Sequence, residues 1–506
     1  MAPLPDALYS ASQVREMDRI AIEEYAMPGL MLMKRAGRAT LRALLERWPD
    51  PDCITVYCGA GNNGGDGYIV AALARQQGIA AQIVQVVSGD QLGGDARRAL
   101  DYAVAERVPM TPWGEAAPPR QGVVVDALLG TGINGAVRAA VAAAIDVING
   151  AGLPVVAVDT PSGLCSDRGV ALGSCVRADL TVTFIGVKQG LRTGQGPAVT
   201  GELVFDDLGV PDALYQRLAP SVAVLDWRKL QSRLVSRAAD AHKGLYGHVM
   251  VIGGDSGYGG AAIMAAEAAL CGGAGLVSVA TRPEHVAPLL ARCPEVMAVG
   301  VTSGQAIEPW LSRPTVLVIG PGLGRSPWSE QMLQKAVATG LPMVVDADAL
   351  NILAEGRVAA AGDSENWLLT PHPGEAGRLL GTGSAEVQED RFAAVAALCG
   401  KFAGGVVLKG AGTLVAAPGA PLSLCPYGNP GMATGGMGDV LSGVLGALLA
   451  QGYGMAEAAH LGVCAHSLAA DLAEQARGQR GLRATDLFSP LRALFNGAAL
   501  REAAQS

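Results

Sequence analysis

Short apolar runs, most followed by glycine, aspartate, asparagine or serine and then a helical pattern, recur along the whole 506-residue chain. Short β-branched runs of this kind read as buried strands of a parallel sheet, with the helices as crossovers. In the first half the runs are 54–57, 82–87, 123–129, 155–158 and 180–185. An opening helix over 12–25 precedes them, with Ser12 as its candidate N-cap. The pattern lapses over 207–243, where Pro211 and Pro220 sit among mixed charges. It restarts with runs at 249–252, 276–280, 316–319, 343–345, 368–369, 406–408 and 413–417, and helical stretches at 436–450 and 457–474. The pattern predicts two tandem α/β domains, 1–220 and 221–506, the first a Rossmann-like doubly wound fold. The likeness between the halves is generic and marks no firm internal repeat.

Glycine accounts for 68 residues, about 13% against a usual ~7%. The glycines are not periodic, which excludes collagen. They cluster at the ends of the apolar runs, where a loop must bend tightly or bring its backbone close to a ligand. A net charge of -8 argues against a nucleic-acid binder with a broad basic surface, but leaves room for a small anion held by backbone N–H groups. The nine cysteines show no C-x-x-C pair and the six histidines no zinc-ligand cluster, so the thiols read as buried, in a reducing compartment. Acids come early (Asp6, Glu16, Asp18) and no run reaches ~18 apolar residues, so neither a signal peptide nor a membrane span is expected. These features together point to a cytoplasmic protein.

In the first half, the run ending at Tyr57 leads into Gly59-Ala60-Gly61-Asn62-Asn63-Gly64-Gly65-Asp66-Gly67, with a helix expected from about Tyr68. A Gly-rich loop entering a helix presents unpaired N–H groups to an anion. Asn62, Asn63 and Asp66 stand where a dinucleotide loop is bare, which suggests recognition of a specific ligand, or simply a turn with Asx caps. Asp126 and Asp159 close two further runs, the second followed by Thr160-Pro161-Ser162-Gly163. Strand ends of a doubly wound sheet converge on one crevice. Asn63, Asp126 and Ser162 would then offer oxygens to one place, a set suited to a monovalent cation. Either acid could instead cap the helix after it. Lys188 reads as a solvated lysine or as one that faces the same crevice.

The second half carries the sharpest local motif, Asn429-Pro430-Gly431-Met432-Ala433-Thr434-Gly435-Gly436-Met437-Gly438-Asp439 before an apolar helix. N–H groups from Gly435 to Asp439 would line a hole suited to a transferring phosphoryl group, with Asp439 at its mouth to take a proton from an attacking hydroxyl. Other strand ends lead into Gly320-Pro321-Gly322-Leu323-Gly324, Asp346-Ala347-Asp348, Thr370-Pro371-His372-Pro373-Gly374-Glu375 and Lys409-Gly410-Ala411-Gly412-Thr413. No Walker A sequence occurs. His372 is read as a ligand contact or a structural hydrogen-bonding group. Glu375 would cap the next helix or orient a bound magnesium through water.

Five separated motifs in order make the first half resemble the NAD(P)H-hydrate epimerases over about 10–215: Leu32-Met33 with Arg35-Ala36-Gly37, the loop at 62–67, those at 126–132 and 159–163, and Lys188 with Gly190. The resemblance implies that Asn62, Asn63, Gly64, Gly65 and Asp66, with Gly130, Thr131, Gly132, Ile133, Asn134, Gly135 and Ala136, bind the hydrated dinucleotide. It implies potassium at Asn63, Asp126 and Ser162, and Asp159 beside the reacting ring. Lys34 stands where the family usually has an acid, and Thr160 where it usually has isoleucine.

Over about 225–500 the chain resembles the ribokinase-like fold and, within it, the ADP/ATP-dependent NAD(P)H-hydrate dehydratases, on His242-Lys243-Gly244-Leu245-Tyr246-Gly247, Gly260-Ala261 and the motifs above. That resemblance places Ala261, Gly322, His372 and Asp439 against the hydrate, and Lys409, Gly410, Ala411, Gly412, Thr413 and Gly438 against the nucleotide. The tandem arrangement implies ADP, with Mg2+, as phosphoryl donor. Together these imply a bifunctional metabolite-repair enzyme acting on small molecules, with no nucleic-acid or membrane partner, as a homo-oligomer. The rival is a vitamin-precursor kinase fused to a non-catalytic binding module.

Overall fold

The computed structural model describes residues 4–133, 135–359 and 364–497. Its internal contacts divide the chain into two compact units, Met1–Ala223 and Val224–Ser506. Each is built on a mainly parallel sheet flanked by helices.

In the first unit the described strands run in the order Met110–Pro112, Ala81–Gln85, Ile54–Cys58, Val123–Ala127, Val155–Val158, Leu180–Phe184 and Glu202–Asp206, all parallel. The chain works outward from Ile54–Cys58 in one direction, then returns and works outward in the other from Val123–Ala127. The strand order therefore reverses between these two, and a crevice opens at their carboxyl ends. The four central strands, from Ile54–Cys58 to Leu180–Phe184, are buried on both faces, with Val56, Val125, Val156 and Val182 fully enclosed, which is why they read as unbroken apolar runs.

Two local expectations are corrected. The helix after Tyr57 spans Asn62–Gln76, so the glycine-rich segment is its first turns rather than a loop before Tyr68. Glycine is a poor helix former, but packing overrides propensity here: a Cβ on Gly64 would lie 2.1 Å from the Gly59 carbonyl oxygen. Only a bare backbone lets the helix begin this close to the strand end. The opening helix is Ala11–Glu23, and its N-cap is Ser10, not Ser12. The Ser10 hydroxyl accepts from Gln13 N at 3.2 Å while Gln13 Oε1 accepts from Ser10 N at 2.9 Å, a capping box that the Ser-x-x-Gln spacing announces. Ahead of it, Ala7–Tyr9 is a short strand that the sequence pattern did not reveal. It pairs with Val187–Lys188, setting Tyr9 opposite Lys188.

The second unit orders its strands Met297–Gly300, Leu276–Thr281, His248–Ile252, Val316–Ile319, Met343–Val345, Trp367–Leu369 and Gly405–Leu408, all parallel, followed by antiparallel Thr413–Ala416 and Ser423–Cys425. Its order reverses between His248–Ile252 and Val316–Ile319. Helix Met437–Ala450 lies directly on helix Gly259–Cys271, where a Cβ on Gly443 would come 2.0 Å from the Ala265 carbonyl oxygen. Ala265 and Ala268 meet Gly443 at this seam, and alanines at 262, 265, 266, 268 and 269 are all buried. Among the described residues no helix is long and apolar enough to cross a membrane.

Candidate active sites

At the reversal point of the first unit, Asp126 is fully buried at the end of its strand. Its Oδ1 accepts from the Ser162 hydroxyl at 2.6 Å and from Leu128 N at 3.2 Å, and its Oδ2 from Ser162 N at 2.8 Å. Burial pushes its carboxyl up to about 6, against the pull of these bonds. Asn63, on the first turn of its helix, donates through Nδ2 to the Leu129 carbonyl at 2.8 Å. Its Oδ1 is buried, and no donor among the described residues reaches it. The structure thus joins Asn63, Asp126 and Ser162 around Leu129, whose N–H reaches the Ser162 hydroxyl at 2.8 Å.

Asp159 follows strand Val155–Val158 with φ of +65°, a conformation rare for a residue with a side chain and concentrated at functional sites. Its Oδ1 collects the Thr183 hydroxyl at 3.2 Å, Phe184 N at 3.3 Å and the Lys188 ammonium. No donor among the described residues reaches its Oδ2. Lys188 is not solvated: it is 1% exposed, and also donates to the Phe184 carbonyl at 3.1 Å and the Thr183 hydroxyl at 3.2 Å. The register of Val187–Lys188 on Ala7–Tyr9 carries it into the fold, a long-range pairing that no local pattern announces. Asp66 lies on the first turns of helix Asn62–Gln76. Burial, then the charges of Asp159 and Asp18, hold its carboxyl well above the usual range. Asn62 is exposed at the helix start, while Gly64 and Gly65 are buried. Gly130, Thr131, Gly132, Ile133, Gly135 and Ala136 form a partly exposed loop after strand Val123–Ala127; Asn134 lies outside the described residues.

In the second unit, Gly436 with φ of +92° caps helix Met437–Ala450, so the N–H groups of Met437, Gly438 and Asp439 open its N-terminus. No donor among the described residues reaches the Asp439 carboxyl. Burial, then the charge of Asp346, push it up to about 7, with Lys409 pulling the other way. Asp346 is fully buried, and its Oδ1 takes the Lys409 ammonium at 2.8 Å while its Oδ2 takes the Ser442 hydroxyl at 2.8 Å. A second carboxylate, Glu375, stands 3.8 Å from the same ammonium. Burial alone would pull the Lys409 ammonium down, but Asp346 and Glu375 overcome it and hold it above its ordinary value. A Cβ on Gly438 would sit 3.4 Å from Lys409 Nζ, so the ammonium lies directly beneath the helix N-terminus.

Gly322, with φ of +57°, packs against Ala261, its virtual Cβ 3.0 Å from the alanine methyl. Lys409, Gly410, Ala411 and Gly412 make the turn into strand Thr413–Ala416, closed by the Thr413 hydroxyl on the Gly410 carbonyl at 2.9 Å. Arg391, fully buried and overlooked in the sequence, donates to the carbonyls of Leu408 at 3.2 Å and Lys409 at 3.3 Å, bracing that turn. His372 is the N-cap of helix Pro373–Leu380: its Nδ1 accepts from Gly374 N at 3.0 Å and Glu375 N at 3.4 Å. The accepting nitrogen carries no proton, so the ring is neutral with its hydrogen on Nε2, 3.3 Å from Glu375 Oε1. Glu375 completes the box by accepting from His372 N at 2.8 Å. The structural reading of both residues is thus realised, and half of the His372 side chain stays open to solvent.

Comparison with known proteins matches both halves. Residues 249–492 fit the family described as NAD(P)H-hydrate dehydratase, and residues 29–190 that described as YjeF-related protein N-terminus. The bifunctional NAD(P)H-hydrate repair enzyme Nnr of Coxiella burnetii is 49% identical over 489 residues, covering 97% of this chain and 99% of that protein. The protein of the same description from Escherichia coli is 42% identical, covering 97% and 95%. Among solved structures, a ribokinase-like superfamily protein from Enterococcus faecalis is 30% identical with a TM-score of 0.51, covering 55% of this chain and 97% of its own.

Proposed function

The chain belongs to the family of bifunctional NAD(P)H-hydrate repair enzymes, and from that membership we propose how its residues divide the work. It repairs NADH and NADPH that have taken up water: one activity interconverts the R and S epimers of the hydrate, and the other dehydrates the S epimer. We assign the first to residues 1–220 and the second to residues 221–506.

Hydroxide is a poor leaving group and phosphate a good one. In the second unit Asp439 takes the proton of the ring hydroxyl as its oxygen attacks the terminal phosphoryl group of ADP, breaking the bond to the leaving AMP. The open N–H groups at the start of helix Met437–Ala450 and the Lys409 ammonium beneath them hold the charge on the transferring group. Phosphate then departs with the C–O electron pair as a proton leaves the neighbouring carbon, and the double bond returns. The observation that carries this reading is Asp439 itself: a carboxyl that no donor among the described residues reaches, pushed up to about 7, where a base works best at neutral pH. Ala261, Gly322, His372 and Asp439 are assigned to the hydrate, and Lys409, Gly410, Ala411, Gly412, Thr413 and Gly438 to the nucleotide. Magnesium would arrive on the nucleotide phosphates. The nearby carboxylates of Asp346 and Glu375 are turned onto Lys409 and the peptide of His372, which does not suit a magnesium shell.

In the first unit Asp159 is assigned as the catalytic base, its Oδ2 open to the substrate. Asn62, Asn63, Gly64, Gly65 and Asp66, with the loop at 130–136, are assigned to the dinucleotide. Asn63, Asp126 and Ser162 would hold potassium, and the donor set suits it: the buried Asn63 Oδ1 lacks a partner among the described residues, the Asn63 amide and the Ser162 hydroxyl meet at the Leu129 carbonyl, and the hydroxyl also reaches the Asp126 carboxylate. Bound there, a monovalent cation would supply positive charge to the crevice floor. The cytoplasmic homo-oligomer expected from the sequence is tested by light scattering and fractionation.

The deciding experiment incubates the full chain with both epimers, with and without ADP, and follows reduced-nicotinamide absorbance. Complete return with ADP is expected. Return of only the S fraction would remove the epimerase, and a stable phosphorylated product would favour the vitamin-precursor kinase. Comparable or faster turnover with ADP-free ATP would overturn the choice of donor.

A further inference from the structure

The opening helix Ala11–Glu23 has no part in the site as assigned so far, yet it lies along it. The preceding strand pairs Tyr9 with Lys188, the lysine bound to Asp159. On the helix, Arg15 donates to the carbonyl of Thr131, in the loop assigned to the dinucleotide, at 3.4 Å. Asp18 stands three residues on, and residues at i and i+3 share a helix face. The Asp18 carboxyl is half-buried and no donor among the described residues reaches it. The charged groups that act on it come from three other elements: Lys188 on its strand, Asp159 after strand Val155–Val158, and Asp66 on helix Asn62–Gln76. These three carboxyls lie within electrostatic reach of one ammonium, which is hydrogen-bonded to Asp159. They do not converge closely enough for a metal, since no group of three acidic, histidine or cysteine side chains among the described residues forms such a site.

The chemistry of inversion needs what this face offers. A dihydropyridine double bond next to nitrogen is an enamine. It takes its proton at the carbon remote from nitrogen and its hydroxyl at the carbon bonded to nitrogen. The epimers differ at that hydroxyl-bearing carbon. Inverting it requires an acid for the departing oxygen and a base for the arriving one.

We propose that Asp18 is a second catalytic carboxyl of the epimerase site, delivering the proton to the departing ring hydroxyl while Asp159 serves the opposite face. The proton passes from Asp18 to the hydroxyl oxygen, the C–O bond breaks, and water leaves as the nitrogen lone pair forms C=N. Water then adds from the other face, its oxygen forming the new C–O bond, the C=N pair returning to nitrogen and its proton going to Asp159. Nothing is oxidised or reduced, and water is the only co-reactant. In the reverse direction the two carboxyls exchange roles. Burial supports this by pushing the Asp18 carboxyl up to about 6, with Lys188 pulling it down and Asp159 pushing it up.

The inference rests on the first unit being the epimerase, and the test separates the two. The full-length chain without nucleotide is given one epimer in water enriched in heavy oxygen, and epimer ratio and label are followed against pH. Wild type should incorporate label at the rate of inversion, and lose rate as pH rises and Asp18 ionises. Asp18→Asn should invert about 10²–10⁴-fold more slowly, bind hydrate as before, retain ADP-dependent dehydration and lose that pH limb. Should it fail to fold, Asp18→Glu carries the test: it should recover part of the rate and a displaced limb. Inversion by Asp18→Asn at the wild-type rate and pH profile, a dead Asp18→Glu in a folded chain, or wild-type inversion without label would each overturn the role of Asp18. Absence of inversion in wild type would instead overturn the assignment of the unit.

Discussion

Each unit holds a largely buried lysine against an aspartate at a strand end, but the two lysines bind different partners. In the first unit Lys188 grips Asp159, the residue assigned to the chemistry. In the second Lys409 grips Asp346, and no donor among the described residues reaches the assigned base Asp439. One assigned base is thus part of an ion pair that helps hold its fold. The other is a burdened carboxyl that the fold tolerates. The physical lesson is that a base can be positioned by its counter-ion or tuned by its absence, and the two designs respond differently to the same substitution.

The strongest test of the contrast is Asp439→Asn. Removing a positioned base should slow dehydration by about 10²–10⁴-fold, with nucleotide binding kept by the backbone N–H groups. Epimerisation should be unchanged, because every residue assigned to it precedes residue 200. Following both reactions in one purified variant decides it, and parallel loss of the two would show the sites to be coupled. Next in size is Lys188→Met. Breaking a buried pair from one side typically costs about 3–5 kcal/mol, so the first unit should melt earlier and epimerisation should fall, while dehydration persists below that transition. An unchanged melting profile would mean that the Lys188–Asp159 pair does not hold the unit.

Asp126→Ala should raise the potassium concentration needed for half-maximal epimerisation by about tenfold or more and remove most of the rate. Full, potassium-stimulated epimerisation in that variant would remove the cation site. Lys409→Met should slow dehydration, since the ammonium is assigned to hold charge on the transferring group, and its finer effect is on the pH profile of the rate that remains. The ammonium favours the ionised form of Asp439, so its loss should move the rising limb of dehydration, near pH 7, upward by about one unit. The profile is measured at saturating nucleotide, and an unmoved limb would mean that another group titrates there.

The parts of this arrangement visible in the sequence are those written locally. Unbroken β-branched runs such as 155–158 marked buried parallel strands, and the acids and glycines after them marked the crevice, because a strand end is read from neighbouring residues. Long-range choices left no local trace. Nothing near Lys188 in sequence says that strand Ala7–Tyr9 will carry it inside, and nothing near Arg391 says that it will brace the turn at Lys409. The helical start at Asn62 was hidden for the same reason, since its glycines are explained by contact with Gly59, a tertiary fact. Roles that depend on which lysine meets which acid therefore required the fold.

The finest test of the contrast is thermodynamic and compares Asp439→Asn with Asp159→Asn. The folded-state carboxyl of Asp439 sits at about 7 against an ordinary 3.8. Between those values the folded chain binds more protons there than the unfolded chain, so stability falls as pH rises through this window and is flat above it. Asparagine carries no such penalty. At pH 8 Asp439→Asn should therefore stabilise the second unit, by on the order of 1 kcal/mol once partial exposure is allowed for. The gain should shrink towards zero as pH falls to 4. Asp159→Asn should have the opposite sign, since it leaves the Lys188 ammonium buried without its counter-charge. Melting both variants at pH 5 and pH 8 reads the two signs directly. Destabilisation by both would mean that Asp439, like Asp159, is held by a partner in the folded chain, and the contrast between the units would fail.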